Sequence, residues 1–173
     1  MKFDPSIVQT HFQSPLGAMT LAATQSGLAG AWFIDQRHLP DELASASSWP
    51  VDAAHPVLKK TAQQLAEYFA GQRQVFDLPL DLSGGTAFQQ AVWQALLGIN
   101  PGATCSYGSI SKTIGNAAAV RAVGAAVGRN PISIIVPCHR VLGADGSMTG
   151  YAGGLDRKTA LLKLEGALIE DLF

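Results

Sequence analysis

The chain has little cysteine, little charge and no long apolar run, and each shortage removes a class of protein. Its two cysteines, Cys105 and Cys138, form neither a CxxC pair nor a zinc-finger spacing. A disulfide-stapled domain is therefore excluded, and both thiols are expected to be free. Four scattered histidines, His11, His38, His55 and His139, give no metal-ligand cluster, so no metal and no other cofactor is expected. Only 14% of the residues are charged, yet 47% are hydrophobic, which favours an ordinary globular chain over disorder or a fibre. No window approaches the roughly 18 continuous apolar residues of a membrane span. The richest early stretch, residues 21–34, is interrupted by Thr24, Gln25, Ser26 and Gly27. Asp4 and Pro5 stand where a signal peptide would carry its apolar region, so a cytoplasmic location is expected.

Net charge is −1, which argues against an indiscriminate nucleic-acid binder. The distribution is uneven. Residues 1–85 carry a net −3 and residues 86–173 a net +2. Residues 100–163 hold seven basic side chains (Lys112, Arg121, Arg129, Arg140, Arg157, Lys158, Lys163) against Asp145 and Asp156. A positive field confined to one half can contact a few phosphates and makes affinity salt-sensitive. An ordinary solvated surface accounts for the same count equally well.

The first half reads as a small α/β unit. Strand-like runs at 7–13 and 19–24 flank Ser14-Pro15-Leu16-Gly17-Ala18, and a third run covers 28–34. Residues 35–55 read as a loop with some helix. Pro56 opens a helix to Ala70 with Val57, Leu58, Leu65, Tyr68 and Phe69 on its apolar side. Residues 75–80 read as one more short strand. Ser83-Gly84-Gly85 marks the boundary between a domain over 1–82 and another over 86–173. Thr86-Ala87-Phe88-Gln89 matches a capping box. Ser106 is a good cap for a helix over 107–114, and Asn116 for one over 117–127. Two short helices about a Gly turn outline a helix-turn-helix. Then come a buried-looking β run at 132–136, a Gly-rich loop at 143–154 and a final helix from Leu155 to about Glu165.

Cys138-His139 is the sharpest local feature. A free thiol has a pKa of about 8.5, so a nucleophilic cysteine needs a base, a cation or a helix N-terminus. Neighbours on an extended segment point to opposite sides, so His139 reaches Cys138 only after a bend or through water. As a bare dipeptide the pair reads by default as structural. The helix over 117–127 is unusually bare: Ala117, Ala118, Ala119, Ala122, Gly124, Ala125 and Ala126 surround one long cation, Arg121. Such a surface suits either helix packing or close approach to a groove.

The whole segment Pro137-Cys138-His139-Arg140-Val141 closely resembles the active-site motif of the O6-alkylguanine-DNA alkyltransferases. The resemblance extends from about Phe88 to Gly166, and the first half has a compatible order of elements. It implies an α+β two-domain fold: a ribonuclease H-like α/β domain with antiparallel strands, then a mostly helical, winged-helix-like domain containing the helix-turn-helix. It also implies direct, single-turnover transfer of the alkyl group from O6-alkylguanine in DNA to Cys138, with O4-alkylthymine a second candidate substrate. His139 would remove the thiol proton through a water, oriented by Glu165. Arg121, with Ala119, Val120 and Ser106 beside it, would contact double-stranded DNA in the minor groove and fill the gap left by a flipped base. Tyr107 would rotate the target phosphate and donate a proton to the departing base. Asn130 would be the hinge before the active-site strand. Pro137, Val141, Met148, Tyr151 and Ala152 would line the pocket, with the Cys138 and Val141 carbonyls accepting from the guanine amino group. Ala152 stands where some relatives have serine, so a contact to O6 would have to come from the backbone N–H. The implied partner is alkylated duplex DNA, bound by a monomer, with clustering along DNA left open.

Three other readings compete. A non-enzymatic lesion binder of the same fold lacks the cysteine. A cysteine hydrolase would turn over and need an oxyanion hole. A plain helix-turn-helix regulator would carry polar base-readers on the Ala-rich helix. Cys105 lacks an adjacent base and reads as structural.

Overall fold

Pro15 and Leu16 form a two-residue loop joining strand β1 (Val8–Ser14) to strand β2 (Gly17–Thr24). The Ser14 hydroxyl donates to the Gly17 carbonyl at 2.7 Å and accepts from the Leu16 N–H at 3.1 Å. In the computed structural model, which describes residues 1–45 and 48–168, β2 pairs onward with β3 (Gly27–Phe33). The result is an antiparallel sheet in the order β1-β2-β3.

β3 is buried along its whole length, with none of the alternation of a half-exposed strand. Trp32, Ile7, Ala22 and Ala29 form one cluster, against which Phe3 and Trp49 pack. Gly30 is required there, because a Cβ would stand 1.8 Å from the Trp32 ring that lies across it. A short helix α1 (Asp41–Ala44) follows, and then α2 (Pro56–Phe69), which packs on all three strands and buries Leu58, Leu65 and Tyr68. Pro56 sits in its first turn, and His55 Nδ1 accepts the Val57 N–H at 3.2 Å.

The chain divides into two units. The first comprises Met1–Thr86 and Pro131–Ser133. That late tripeptide bonds to β3: Ala31 N–H donates to the Pro131 carbonyl and Ser133 N–H to the Ala31 carbonyl, both at 2.9 Å. Two expected strands are corrected here. In 75–80 only Leu80 makes a β bridge, parallel to Leu28; Pro79 has no N–H to extend the ladder. In 132–136 only Ile132 bridges, to Ala31, and the chain then turns. Ile134 takes φ 73°, a left-handed conformation that costs a β-branched residue on the order of 1–3 kcal/mol and ends any strand.

The second unit comprises Ala87–Asn130 and the described residues from Ile134 onward. Helix α3 (Ala87–Leu96) buries Val92, Trp93 and Leu96, and Trp93 Nε1 donates to the Ala126 carbonyl at 2.8 Å. Strand β4 (Cys105–Ser106) runs into α4 (Tyr107–Thr113), whose N-terminus is capped by Ser106 accepting from Ser109 N–H at 3.1 Å. Helix α5 (Val120–Gly128) packs on α3 and α4. It begins three residues later than expected, at an Ala119 cap with no side-chain bond, so Asn116 does not cap it. Instead Asn116 closes the preceding turn: its N–H donates to the Ser111 carbonyl and its own carbonyl accepts from the Ser111 hydroxyl. One 3-10 turn (Cys138–Arg140) leads to β5 (Val141–Leu142), which pairs in parallel with β4. Helix α6 (Leu155–Leu164) ends at Glu165. Among the described residues, no helix is long and apolar enough to cross a membrane.

Candidate active site

Residues 130–141 are buried without exception, and the polar groups among them have to find partners inside the protein. Pro137 supplies the bend. The Cys138 N–H turns back to the Val136 carbonyl at 2.8 Å and the Arg140 N–H to the Pro137 carbonyl at 3.0 Å. The 3-10 turn replaces the extended geometry that would point Cys138 and His139 to opposite sides. Asn130 holds the approach: its Nδ2 donates to the Val136 carbonyl at 2.8 Å, and its side chain is also hydrogen-bonded to the Cys138 thiol.

His139 is fully buried, and its Nε2 lies 2.7 Å from Glu165 Oε1. Arg140 embraces the same carboxylate, with Nε at 2.9 Å from Oε2 and Nη2 at 2.8 Å from Oε1. The remaining guanidinium nitrogen, Nη1, donates to the Ile99 carbonyl. Burial pushes the Glu165 carboxyl up, but hydrogen bonds from His139 and Arg140 outweigh it and hold the group at about 2. An ionised carboxylate accepts only, so Nε2 carries the imidazole proton. Burial also lowers the His139 pKa, against the pull of Glu165, and keeps the ring neutral. Nδ1 is then the basic nitrogen, and it is buried with no protein partner. Burial raises the Cys138 thiol to about 11, against the Asn130 hydrogen bond and the charge of Lys158, so the resting group is a thiol.

The low Glu165 value has a consequence for stability. The contribution is full above the ordinary 4.5 and is lost as pH falls toward 2; it amounts to on the order of 3 kcal/mol. Urea midpoints measured between pH 7 and pH 2.5 should fall over that window, and Glu165→Gln should flatten the slope there. A Glu165→Gln curve with the wild-type slope would assign the acid sensitivity to other carboxylates.

Several expected site residues meet here. Asn130 is hydrogen-bonded to Cys138 and Glu165 to His139, and Pro137 opens the turn that carries Cys138 and His139. The Val141 carbonyl accepts from Lys158 Nζ at 2.6 Å, and the Cys138 carbonyl accepts the Val141 N–H. Each retains a second lone pair. Met148, Tyr151 and Ala152 lie half-buried in the loop at 143–154.

The others stand on α4 and α5, with no hydrogen bond to the Cys138 cluster among the described residues. Ser106 caps α4. Tyr107 begins α4 and faces α5, its ring edge 3.9 Å from where a Gly124 Cβ would stand. Ala119 caps α5, and Val120 and Arg121 are exposed in its first turn. Val123, Ala126 and Val127 form the buried side of α5, while Ala122 and Ala125 face solvent beside Arg121. No acidic residue occurs between Asp81 and Asp145, and Lys112, Arg121 and Arg129 are exposed.

Two residues of the site were given no role in the sequence beyond their charge, although Arg140 stands within the motif. Arg140 and Lys158 are buried, which takes two of the seven cations out of the positive field of residues 100–163. For Lys158 a signal existed: it stands three and four positions before Leu161 and Leu162, the buried positions of α6. Cys105 is half-buried, in β4 opposite Val141. No group of three or more potential metal ligands occurs among the described residues.

Fold and constellation together define the class: an α+β protein with a buried cysteine–histidine–glutamate cluster built into a helical second unit. The chain belongs to the 6-O-methylguanine DNA methyltransferase family. Residues 7–82 match that family's ribonuclease-like domain and residues 87–167 its DNA-binding domain. It is 50% identical over 152 residues to the methylated-DNA–protein-cysteine methyltransferase of Mycobacterium bovis, covering 88% of each chain. The same-named protein of Methanosarcina acetivorans is 47% identical, over 90% of this chain and 96% of the relative. Among solved structures, Mycobacterium tuberculosis O6-methylguanine methyltransferase superposes with a TM-score of 0.81 at 46% identity, over 96% of this chain and 97% of that one. Mycobacterium tuberculosis OGT in complex with DNA gives 0.80 at 46% identity, over 93% and 92%.

Proposed function

We propose that this protein repairs DNA by transferring the alkyl group of O6-alkylguanine irreversibly to Cys138. One observation carries the reading. A buried thiol stands next to a histidine whose Nε2 is committed to an ionised carboxylate and whose Nδ1 has no protein partner. Such a histidine is a base aimed by its carboxylate. Family membership, with a relative solved in complex with DNA, supplies the substrate class.

The step proceeds in line. His139 Nδ1 takes the thiol proton through one bridging water. Cys138 Sγ forms a bond to the alkyl carbon as the bond from that carbon to guanine O6 breaks. Tyr107 passes a proton to the base, which leaves as neutral guanine; His139 then releases the proton it took to solvent, and Tyr107 recovers one from solvent. The net exchange is thiol hydrogen for alkyl group. The product thioether has no acidic proton and no good leaving group, so each molecule acts once.

Recognition rests on α4 and α5. The Ala-surrounded first turn of α5 is narrow enough for the minor groove, and Arg121 fills the space of the flipped nucleotide, offsetting part of the few kcal/mol that flipping costs. Pro137, Val141, Met148, Tyr151 and Ala152 form the pocket, and Asn130 sets its floor through Cys138. The domains run over 1–82 and 86–173, and the protein acts in the cytoplasm as a monomer on nucleoid DNA.

Incubation with an oligonucleotide carrying O6-methylguanine, followed by intact mass and a peptide map, tests the reading. One added methyl on Cys138, saturating at one equivalent, is the expected result. Turnover, no mass gain or modification of Cys105 would each reject it. Separately, Arg121→Ala should slow transfer from duplex DNA on the order of tenfold or more while leaving reaction with free O6-benzylguanine unchanged, since only the duplex needs a base extruded. Equal losses on both substrates would remove the flipping role.

A further inference from the structure

Lys158 is a fully buried cation that the relay does not use. Its ammonium donates to three backbone carbonyls: Val141 at 2.6 Å, Thr149 at 2.7 Å and Gly150 at 3.2 Å. The first belongs to β5, just beyond the reactive turn, and the other two to the loop that carries Tyr151 and Ala152. One side chain on α6 thus ties the wall of the candidate pocket to the segment bearing the cysteine. Three carbonyl dipoles satisfy its protons but do not neutralise its charge, and among the salt bridges of the described residues none involves Lys158.

The groups around it are few. Glu165, the buried carboxylate nearest in the chain, is engaged by Arg140 and His139. His139 is neutral at rest and gains nothing from a second cation. Cys138 stands on the segment that Lys158 holds: the Val141 carbonyl accepts from the ammonium, and the Val141 N–H donates to the Cys138 carbonyl. The coupling between the two is mutual: the lysine favours the thiolate, and the thiolate favours the ammonium. Burial, only partly offset by Cys138, brings Lys158 down to about 8, so most of the ammonium persists at neutral pH.

We propose that Lys158 is a positioning residue with two duties: it supplies the fixed countercharge to the Cys138 thiolate as the thiol gives up its proton, and it ties the 149–150 backbone to β5. The proton still passes to His139; Lys158 neither gives nor takes one. The alkyl group passes to sulfur as in the proposed reaction, on which this inference rests. An anion forming in a buried site needs such compensation, and a cation already seated requires no reorganisation when the charge appears.

The test separates charge from tie. Lys158→Gln keeps an amide donor for the carbonyls and removes the charge; Lys158→Arg keeps the charge and alters the tie. For wild type and both variants, the rate of Cys138 alkylation by iodoacetamide is followed against pH by peptide mass. The rate with free O6-benzylguanine is followed in parallel, with thermal melts to confirm folding. At pH 7.5, where the Lys158 ammonium is still held, Lys158→Gln should react with iodoacetamide about tenfold more slowly than wild type, and the gap should close as the pH rises past about 8 and the ammonium is lost. Lys158→Arg should keep the wild-type iodoacetamide rate at pH 7.5 while its O6-benzylguanine rate falls. A wild-type iodoacetamide rate at pH 7.5 in folded Lys158→Gln, or a tenfold loss of that rate in Lys158→Arg, would overturn the countercharge. Should Lys158→Gln not fold, the Lys158→Arg rate at pH 7.5 decides alone. Wild-type protein that reacts with iodoacetamide but not with O6-benzylguanine would instead refute the alkyltransferase reading.

Discussion

Cys138→Ala is expected to abolish alkyl transfer completely while leaving the protein folded and able to bind DNA. The other groups on the buried turn are poor acceptors: His139 Nε2 is held by Glu165, its Nδ1 is assigned to the bridging water and not to the alkyl carbon, and Arg140 is a permanent cation. The structural cost is small. The side chain loses one sulfur atom, and Asn130 keeps its bond to the Val136 carbonyl, so the fold should lose about 1 kcal/mol. Because DNA contact is assigned to α4 and α5, affinity for an O6-methylguanine duplex should stay close to wild type. The variant would hold the lesion without repairing it. Cys105→Ser is the control, and should leave transfer at the wild-type rate. Gel-shift titration and a methyl-transfer time course on the same protein separate the two properties. Residual transfer by Cys138→Ala, with the methyl mapped to Cys105, would move the acceptor to β4.

How much of this was legible before the structure depends on which physical signal a residue leaves in the sequence. The β1-β2 hairpin was legible because Pro15 fixes its own φ and Gly17 tolerates the positive φ, 126°, that follows the turn. The start of α2 was marked by Pro56, whose fixed φ suits a first helical turn. Residues 132–136 were misread, since an apolar run signals burial and not conformation. They are buried, but the bond of Ser133 to Ala31 and the left-handed Ile134 turn them away from a strand. Asn116 was misread because its type suits a cap and a tight turn equally, and the Ser111 hydroxyl selects the turn.

Within the site, Cys138, His139 and Glu165 were found through a motif whose members lie far apart in the chain, not through any property of one residue. The burial of Arg140, although it stands in the motif, and of Lys158 escaped because a charge count assigns every cation to the surface. Burial of a lysine depends on carbonyls from other segments converging on it, and those carbonyls come from residues 141, 149 and 150, on loops whose path no periodicity encodes.

Arg140 also decides how the second large effect should be read. Glu165→Gln is expected to slow transfer by roughly 10²–10⁴-fold, the range general-base catalysis supplies, and to cost about 3–5 kcal/mol of stability, as when a buried ion pair loses one partner. Three N–H groups converge on Glu165: one from His139 and two from Arg140. A glutamine offers a single acceptor oxygen and two donors of its own. With Arg140 holding that oxygen, the amide NH₂ faces His139, whose ring must then present a lone pair at Nε2 and carry its proton on Nδ1. The nitrogen that should accept from the thiol becomes a donor. Rate and stability thus fall for different reasons, and a second substitution separates them. Arg140→Met combined with Glu165→Gln removes the unpaired buried cation and should recover part of the stability, measured by urea unfolding, but none of the rate. Recovery of both would show that Glu165 serves only to hold the fold around Arg140, leaving His139 without a carboxylate that orients it.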